Sequence, residues 1–124
     1  MDSPRKIRHG EEFALDELKT YLSENNINAN DLSIKQFPSG YSNLTYFVKS
    51  SSQEFVLRRP PFGAKSLQGG HDMFREYNVL KNLKSQFSKV PDVYLYCDDN
   101  EIIGAPFYLM ERVEGYIIRP NLQQ

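Results

Sequence analysis

Apolar residues recur at two different spacings along this chain, and each spacing predicts one kind of element. Between Glu11 and about Asn25 they follow the period of an amphipathic helix, which the asparagines at its end terminate. A second stripe at helical spacing predicts a helix from about Asp72 to Phe87. The apolar residues of that second stripe are Met73, Tyr77, Leu80, Leu83 and Phe87.

Five short apolar runs bounded by turn residues predict β-strands. They cover residues 32–37, 44–49, 54–59, 91–97 and 106–112. A loop containing Gly69-Gly70 is expected before the second helix, and Asp98-Asp99-Asn100 predicts a tight polar turn. Because short turns join neighbouring strands, the sheet is expected to be antiparallel. The predicted fold class is therefore α+β, a five-stranded antiparallel sheet with a packed helix, plus an N-terminal helix.

Composition narrows the classes of function. A net charge of −1 argues against a nucleic-acid binder, and the basic start, residues 5–9, is interpreted as a solvated tail. No apolar run approaches the roughly 20 residues that a membrane span needs, so no membrane partner is expected. The single cysteine, Cys97, suits a cytoplasmic protein, and with two histidines it makes no metal-site pattern.

The segment between the first two predicted strands is a candidate phosphate-covering loop. Such a loop needs small residues, so that backbone N–H groups can approach phosphate oxygens closely. Gly40 permits that approach, and the Ser42 hydroxyl and the Asn43 amide add donors. Taken alone, the segment is better explained as an ordinary hairpin turn, which Pro-Ser-Gly also makes.

A cation and a carboxylate stand at two other conspicuous positions. Alternation along the third strand puts Val56 and Arg58 on one face, where they could contact a base and a phosphate. Glu76 falls within the apolar stripe of the second helix, and a charge there needs a partner. Arg58 is the candidate partner. Two other interpretations stay open: Arg58 and Arg59 as a solvated basic pair, and Glu76 at the edge of the stripe reaching water.

Three motifs in order resemble the amino-terminal lobe of the aminoglycoside phosphotransferase-like family, a branch of the kinase-like fold. They are Leu57-Arg58-Arg59-Pro60-Pro61, Arg75-Glu76-Tyr77-Asn78-Val79-Leu80 and the stretch Phe107-Tyr108-Leu109-Met110-Glu111-Arg112-Val113-Glu114-Gly115. They are most similar to the phosphotransferases related to acyl-CoA dehydrogenase-associated kinase domains. The resemblance runs from about Leu32 to Gly115.

The resemblance implies an ATP site and a role for each matching residue. Gly40, Ser42 and Asn43 would belong to the nucleotide loop. Arg58 would take the place of the phosphate-holding lysine, with Glu76 as its helix partner. The adenine site would be built from Val56 and Phe47 above the ring, Met110 behind it, and the Glu111 carbonyl and Val113 N–H at the base edge. The loop has one glycine where protein kinases have three, and an arginine cannot copy a lysine's point contact in detail.

The same resemblance implies that parts of the reaction centre lie elsewhere. The family's catalytic aspartate and its Mg²⁺ ligands follow the hinge, and nothing after Gly115 supplies them. The expected division is an N-terminal tail and helix over 1–30, a nucleotide-binding lobe over 31–115, and the start of a linker over 116–124. The chain is thus expected to be the ATP-binding half of an enzyme that phosphorylates a small-molecule hydroxyl, inactive by itself and self-associating.

Two other functions stay open at this point. A non-catalytic binding or regulatory module with the same fold would lack a downstream aspartate-containing loop. A nucleic-acid-binding sheet could stack bases on some of the eight tyrosines and eight phenylalanines. The near-neutral charge argues against the second, as do Tyr21 and Tyr77, which fall in helical stripes.

Overall fold

The computed structural model describes residues 4–38, 43–62 and 66–113. Apolar residues at alternating and at helical spacing form five strands and three helices in this part of the chain. Of residues 66–71 only the backbone is described. The elements are α1 (Leu15–Glu24), β1 (Ser33–Gln36), β2 (Leu44–Lys49), β3 (Glu54–Arg59), α2 (Ser66–Lys84), β4 (Val93–Cys97), α3 (Asn100–Ile103) and β5 (Phe107–Glu111).

The strands form one sheet in the order β1-β2-β3-β5-β4, and every neighbouring pair is antiparallel. The structure confirms the predicted class, which is α+β with a five-stranded antiparallel sheet, a packed helix and an N-terminal helix. The polar turn at residues 50–53 joins β2 and β3 into a hairpin whose strands have the predicted bounds. The last strand, β5, lies between β3 and β4, which brings distant parts of the chain side by side.

The two faces of the sheet carry separate apolar cores. On one face α1 buries Leu18 and Leu22 completely against strand residues such as Tyr46, Leu57 and Leu109. On the other face α2 brings Met73 and Leu80 against the sheet. Strand alternation produces this division, because successive side chains point to opposite faces.

The N-terminal segment pairs with the sheet through its backbone, so it is not a free tail, although the four basic residues at positions 5, 6, 8 and 9 are exposed to solvent as predicted. Arg5 and Gln36 exchange two backbone hydrogen bonds of 2.7 Å, which extends the sheet beyond β1. The buried Gln36 side chain accepts from the Arg8 N–H and donates to Glu11. The two backbone bonds satisfy the outward N–H and C=O of Gln36 at the edge of β1, which would otherwise be unpaired.

Two local predictions differ from the structure. The α2 backbone is already helical from Ser66, so Gly69-Gly70 lies inside the helix and not in a preceding loop. Glycine lowers helix propensity by only about 1 kcal/mol, which tertiary packing overrides. The predicted turn at 98–100 instead starts α3, where the Asp99 carboxylate accepts from the Glu101 N–H. Gly104 ends that helix in the left-handed region with φ 89°.

Two further sequence-based expectations concern Cys97 and the membrane. Cys97 is buried, and burial raises the pKa of its thiol, which suits a packed side chain. Among the described residues, no helix combines the length and the apolar character that crossing a membrane requires.

Candidate functional site

A buried ion pair joins the sheet to α2. Arg58 Nε donates to Glu76 Oε1 at 3.0 Å, and Arg58 Nη2 donates to Oε2 at 2.7 Å. The side chains are only 5 % and 3 % exposed. The pairing predicted from strand alternation and helical spacing is therefore confirmed, and the solvated alternatives for both residues are excluded. Their part in binding a phosphate stays a prediction.

The ion pair holds Arg58 as a cation. Burial by itself lowers the pKa of Arg58, but the hydrogen bonds and the charge of Glu76 outweigh it, so the pKa lies above its ordinary value. A two-point contact between a guanidinium and a carboxylate also fixes the orientation of both groups. Arg58 is thus a permanently charged group with a defined direction.

Three more polar side chains complete this cluster. The Asn43 amide donates to Glu76 Oε2 at 3.1 Å, and the Tyr108 hydroxyl donates to Oε1 at 2.7 Å. Arg58 Nη1 donates to the Thr45 hydroxyl at 2.6 Å. Asn43, proposed from sequence as a phosphate donor, thus directs its amide to the carboxylate. Sequence reasoning missed Thr45 and Tyr108, although strand register places both opposite Arg58.

An apolar row lies next to the cluster on the same face of the sheet. Phe47, Val56 and Met110 are direct neighbours across β2, β3 and β5. Val56 and Met110 are buried, and Phe47 is half-buried. Phe37, which sequence reasoning did not include, adds an aromatic ring 6.3 Å from that of Phe47, centroid to centroid. The row is an apolar patch in which Phe47 is the least buried member, and apolar side chains of this kind can pack against a planar ring.

Arg112 covers part of this surface. Its guanidinium carbon lies 5.0 Å from the centre of the Phe37 ring and 5.2 Å from that of Phe47. Both distances are within the range of a cation–π contact. Alternation along β5 could have found Arg112, since Tyr108, Met110 and Arg112 share one face.

The predicted base-edge residues lie at the end of β5. The Glu111 N–H donates to the Asp92 carbonyl at 2.8 Å, and the Arg112 N–H donates to the Glu54 carbonyl at 3.4 Å. Val113 is half-buried at the end of the described segment. Of the predicted loop residues, Gly40 and Ser42 lie outside the described residues, and Asn43 begins the next described range.

Arg59, the neighbour of Arg58, is buried on the opposite face of the sheet. Its Nη1 donates to the Ile103 carbonyl at 3.1 Å, and its Nε donates to the Pro60 carbonyl. The Phe62 ring centre lies 3.8 Å from its guanidinium carbon. Desolvation lowers the pKa of Arg59 from its ordinary value. Arg59 therefore has a structural role, fastening the end of α3, while Arg58 belongs to the candidate site.

The described residues hold no obvious metal site. Within residues 4–38, 43–62 and 66–113, no group of three His, Cys, Asp or Glu side chains could bind a metal ion. Glu76, the carboxylate nearest the candidate site's cation, has both oxygens occupied by donors. The described part of the chain therefore supplies no metal site of three such ligands by itself.

A five-stranded antiparallel sheet whose third strand carries a cation bonded to a helix carboxylate defines the small lobe of a kinase-like protein. The family model described as phosphotransferase enzyme family matches residues 33–124. This chain belongs to that family.

Proteins that are similar to this chain in structure or in sequence agree with its membership of the family. A crystal structure of a Ralstonia eutropha protein classed as an aminoglycoside phosphotransferase superposes with a TM-score of 0.69 at 30 % identity, covering 87 % of this chain and 30 % of that one. Acyl-CoA dehydrogenase family member 11 of Gallus gallus is 43 % identical over 91 residues, which are 73 % of this chain and 12 % of that protein. Family member 10 of Mus musculus is 39 % identical over 92 residues, 73 % of this chain and 8 % of that protein. The chain thus spans a small part of the relatives it matches.

Proposed function

We propose that this chain is the ATP-binding lobe of a phosphotransferase that moves the γ-phosphate of ATP to a hydroxyl group of a small molecule. The observation that carries the proposal is the buried pair of Arg58 and Glu76 beside the apolar row of Phe47, Val56 and Met110. A nucleotide has an aromatic base and a polyanion at a fixed separation. An apolar surface next to an oriented cation matches both parts.

Arg58 supplies the charge in this proposal. Its guanidinium has five N–H donors, of which three serve Glu76 and Thr45. The hydrogen bonds within the described residues do not use one N–H on each terminal nitrogen, and these two would donate to phosphate oxygens. The base would stack on the apolar row, with its edge towards Glu111 and Val113, and Gly40 and Ser42 would cover the phosphates. The Arg112 guanidinium would have to move or stack on the base.

The remaining chemistry would come from other residues. Phosphoryl transfer of this kind requires an aspartate that orients the acceptor hydroxyl and ligands for Mg²⁺. The 124 residues contain no His-x-Asp sequence, so we expect the chain alone to be inactive. A cytoplasmic location, where ATP is abundant, is part of the proposal.

The complete gene product tests the proposal. Purified protein is incubated with γ-labelled ATP, Mg²⁺ and a panel of aminoglycosides, choline, sugars and hydroxyacyl thioesters. We expect label to appear on a hydroxyl of at least one class. If the protein binds ATP but labels none of them, and no downstream aspartate-containing loop exists, a non-catalytic kinase-like module is the better description.

We expect the 124-residue chain to bind ATP only weakly, with a dissociation constant well above the micromolar range. In the described residues the triphosphate would meet Arg58 but no metal site, so most of its charge would stay uncompensated. Titration calorimetry with and without Mg²⁺ measures this directly. Micromolar or tighter affinity would contradict the prediction.

We also expect the 124-residue chain to self-associate. In the proposed function a second lobe packs beyond β5, and an apolar surface that lacks its cover tends to find a substitute. The contact is expected near β5 and residues 116–118, which lie outside the described residues. Light scattering over a range of concentrations checks this, and a monomer at the highest concentration would rule it out.

A further inference from the structure

From the described residues the Glu76 carboxylate accepts four side-chain hydrogen bonds, two on each oxygen. Oε1 accepts from Arg58 Nε at 3.0 Å and from the Tyr108 hydroxyl at 2.7 Å. Oε2 accepts from Arg58 Nη2 at 2.7 Å and from the Asn43 amide at 3.1 Å. A carboxylate has about four lone-pair sites. These four bonds engage both oxygens of Glu76 and fix the orientation of the carboxylate.

Tyr108 donates to Glu76 from a position inside the sheet and the core. It is fully buried, and its backbone is paired with that of Arg58 across β3 and β5. The Tyr77 ring packs 6.2 Å from its own, centroid to centroid. Burial, together with the nearby Glu76 charge, raises the pKa of Tyr108 well above its ordinary value, so the hydroxyl keeps its proton.

The Tyr108 hydroxyl matters because the two hydrogen bonds between Arg58 and Glu76 still allow the pair to move in one way. Two parallel bonds hold the guanidinium in the plane of the carboxylate, but the carboxylate can still turn about its own side-chain bonds and carry Arg58 with it. The Tyr108 hydroxyl on β5 and the Asn43 amide just before β2 add bonds from other parts of the chain, and these bonds restrict that movement. Hydrogen bonds from a hydroxyl to a charged oxygen are short and strong, so removing this one is expected to loosen both partners.

We propose that Tyr108 is a positioning residue for Arg58, acting through Glu76. The Tyr108 hydroxyl holds the carboxylate, and the carboxylate holds the guanidinium in the direction in which its remaining N–H groups meet a phosphate. The inference rests on the proposed function of Arg58 as a phosphate-binding residue. It assigns Tyr108 no contact with the nucleotide.

Tyr108→Phe tests the inference, and Tyr46→Phe is its matched control. Tyr46 is also fully buried and donates a hydrogen bond of 2.6 Å to the Glu11 carbonyl, but it lies on the other face of the sheet. Phenylalanine fills the volume of either ring, so both variants are expected to fold. Each variant is measured at the same number of degrees below its own melting temperature. An effect on the position of Arg58 is then separated from an effect on overall stability.

The first readout is proton exchange at Arg58 Nε–H in the 124-residue chain, followed by NMR. We expect exchange about tenfold faster in Tyr108→Phe, and within about twofold of wild type in Tyr46→Phe. In a Glu76→Gln background, Tyr108→Phe should add less than about twofold, because residues that act through one group are not additive. Equal exchange in the two tyrosine variants, or the same increase in both backgrounds, overturns the inference.

The second readout is phosphoryl transfer by the complete gene product. We expect Tyr108→Phe to lower kcat about tenfold while KM for ATP changes less than about twofold, because the base-binding row is untouched. Tyr46→Phe should leave both constants near wild type. A Tyr108→Phe enzyme with unchanged kcat overturns the inference. If the wild-type product transfers no phosphate, the proposed function fails, and the exchange comparison still decides whether Tyr108 positions Arg58.

Discussion

Replacing Arg58 by alanine is expected to slow phosphoryl transfer by the complete gene product by about a hundredfold or more, the usual cost of removing one preorganised donor from a transition state. Arg58 is a buried cation whose direction is fixed by two bonds to Glu76. Alanine removes the group that would hold the phosphates. It also leaves the Glu76 charge buried without its cation, which destabilises the lobe.

Two further substitutions separate these effects. Arg58→Lys should restore part of the rate, since lysine keeps the charge but cannot reproduce the two-point contact. Glu76→Gln should cost less than Arg58→Ala, because the cation stays in place with a weaker partner. The measurement is kcat and KM for ATP, together with the melting temperature of each variant.

Arg75→Ala is the matched control for this series. Arg75 lies one residue before Glu76 on α2, but its side chain is 60 % exposed, and among the described residues its ion pair is with Asp72 at the surface. Exposed pairs contribute about 0–1 kcal/mol, so Arg75→Ala should leave both rate and stability near wild type. If Arg58→Ala transfers phosphate as fast as Arg75→Ala does, Arg58 has no part in the reaction.

The ion pair could be predicted from sequence because two local periods determine it. Alternation along β3 fixes the face of Arg58, and helical spacing fixes the face of Glu76. Both residues then lie between an apolar helix stripe and an apolar strand, where an unpaired charge is unfavourable. The predicted adenine-site residues Phe47, Val56 and Met110 came together for a similar reason, since strand alternation puts each of them on the face of the sheet against which α2 packs.

Features that depend on non-local pairing could not be predicted in this way. Tyr108 reaches Glu76 only because β5 lies beside β3, although α2 and β4 separate them in sequence. From sequence, Arg59 could be interpreted as exposed to solvent, because the groups that it contacts lie in a loop and at the end of α3. Arg5 joins the edge of β1 through backbone bonds, which no side-chain pattern records.

The start of α2 illustrates a different limit. Gly69-Gly70 is a good loop signal on propensity alone, yet the helical backbone runs through it from Ser66. Two glycines disfavour a helix by about 2 kcal/mol in total. The packing of Met73, Glu76 and Leu80 against the sheet evidently outweighs this. The spacing of apolar residues therefore located the helix, and the low helix propensity of glycine misplaced its first residue.

Replacing Leu18 and Leu22 together by alanine is expected to unfold most of the described chain, residues 31–113 included. Both leucines are fully buried between α1 and the sheet. A buried Leu→Ala change costs about 2–5 kcal/mol. Two such changes approach the roughly 5–15 kcal/mol that stabilise a whole domain. The double variant should thus be largely denatured at physiological temperature.

This experiment also tests whether residues 1–30 form a unit separate from residues 31–115. Circular dichroism and urea unfolding are compared with those of Leu15→Ala, a matched change at a half-buried leucine of the same helix, which should cost less than either buried site. If α1 is a separate unit, the double variant loses only the helical signal of α1, and the sheet melts as in wild type. Because Leu18 and Leu22 lie in one core with Tyr46, Leu57 and Leu109, we expect a single transition at a much lower urea concentration.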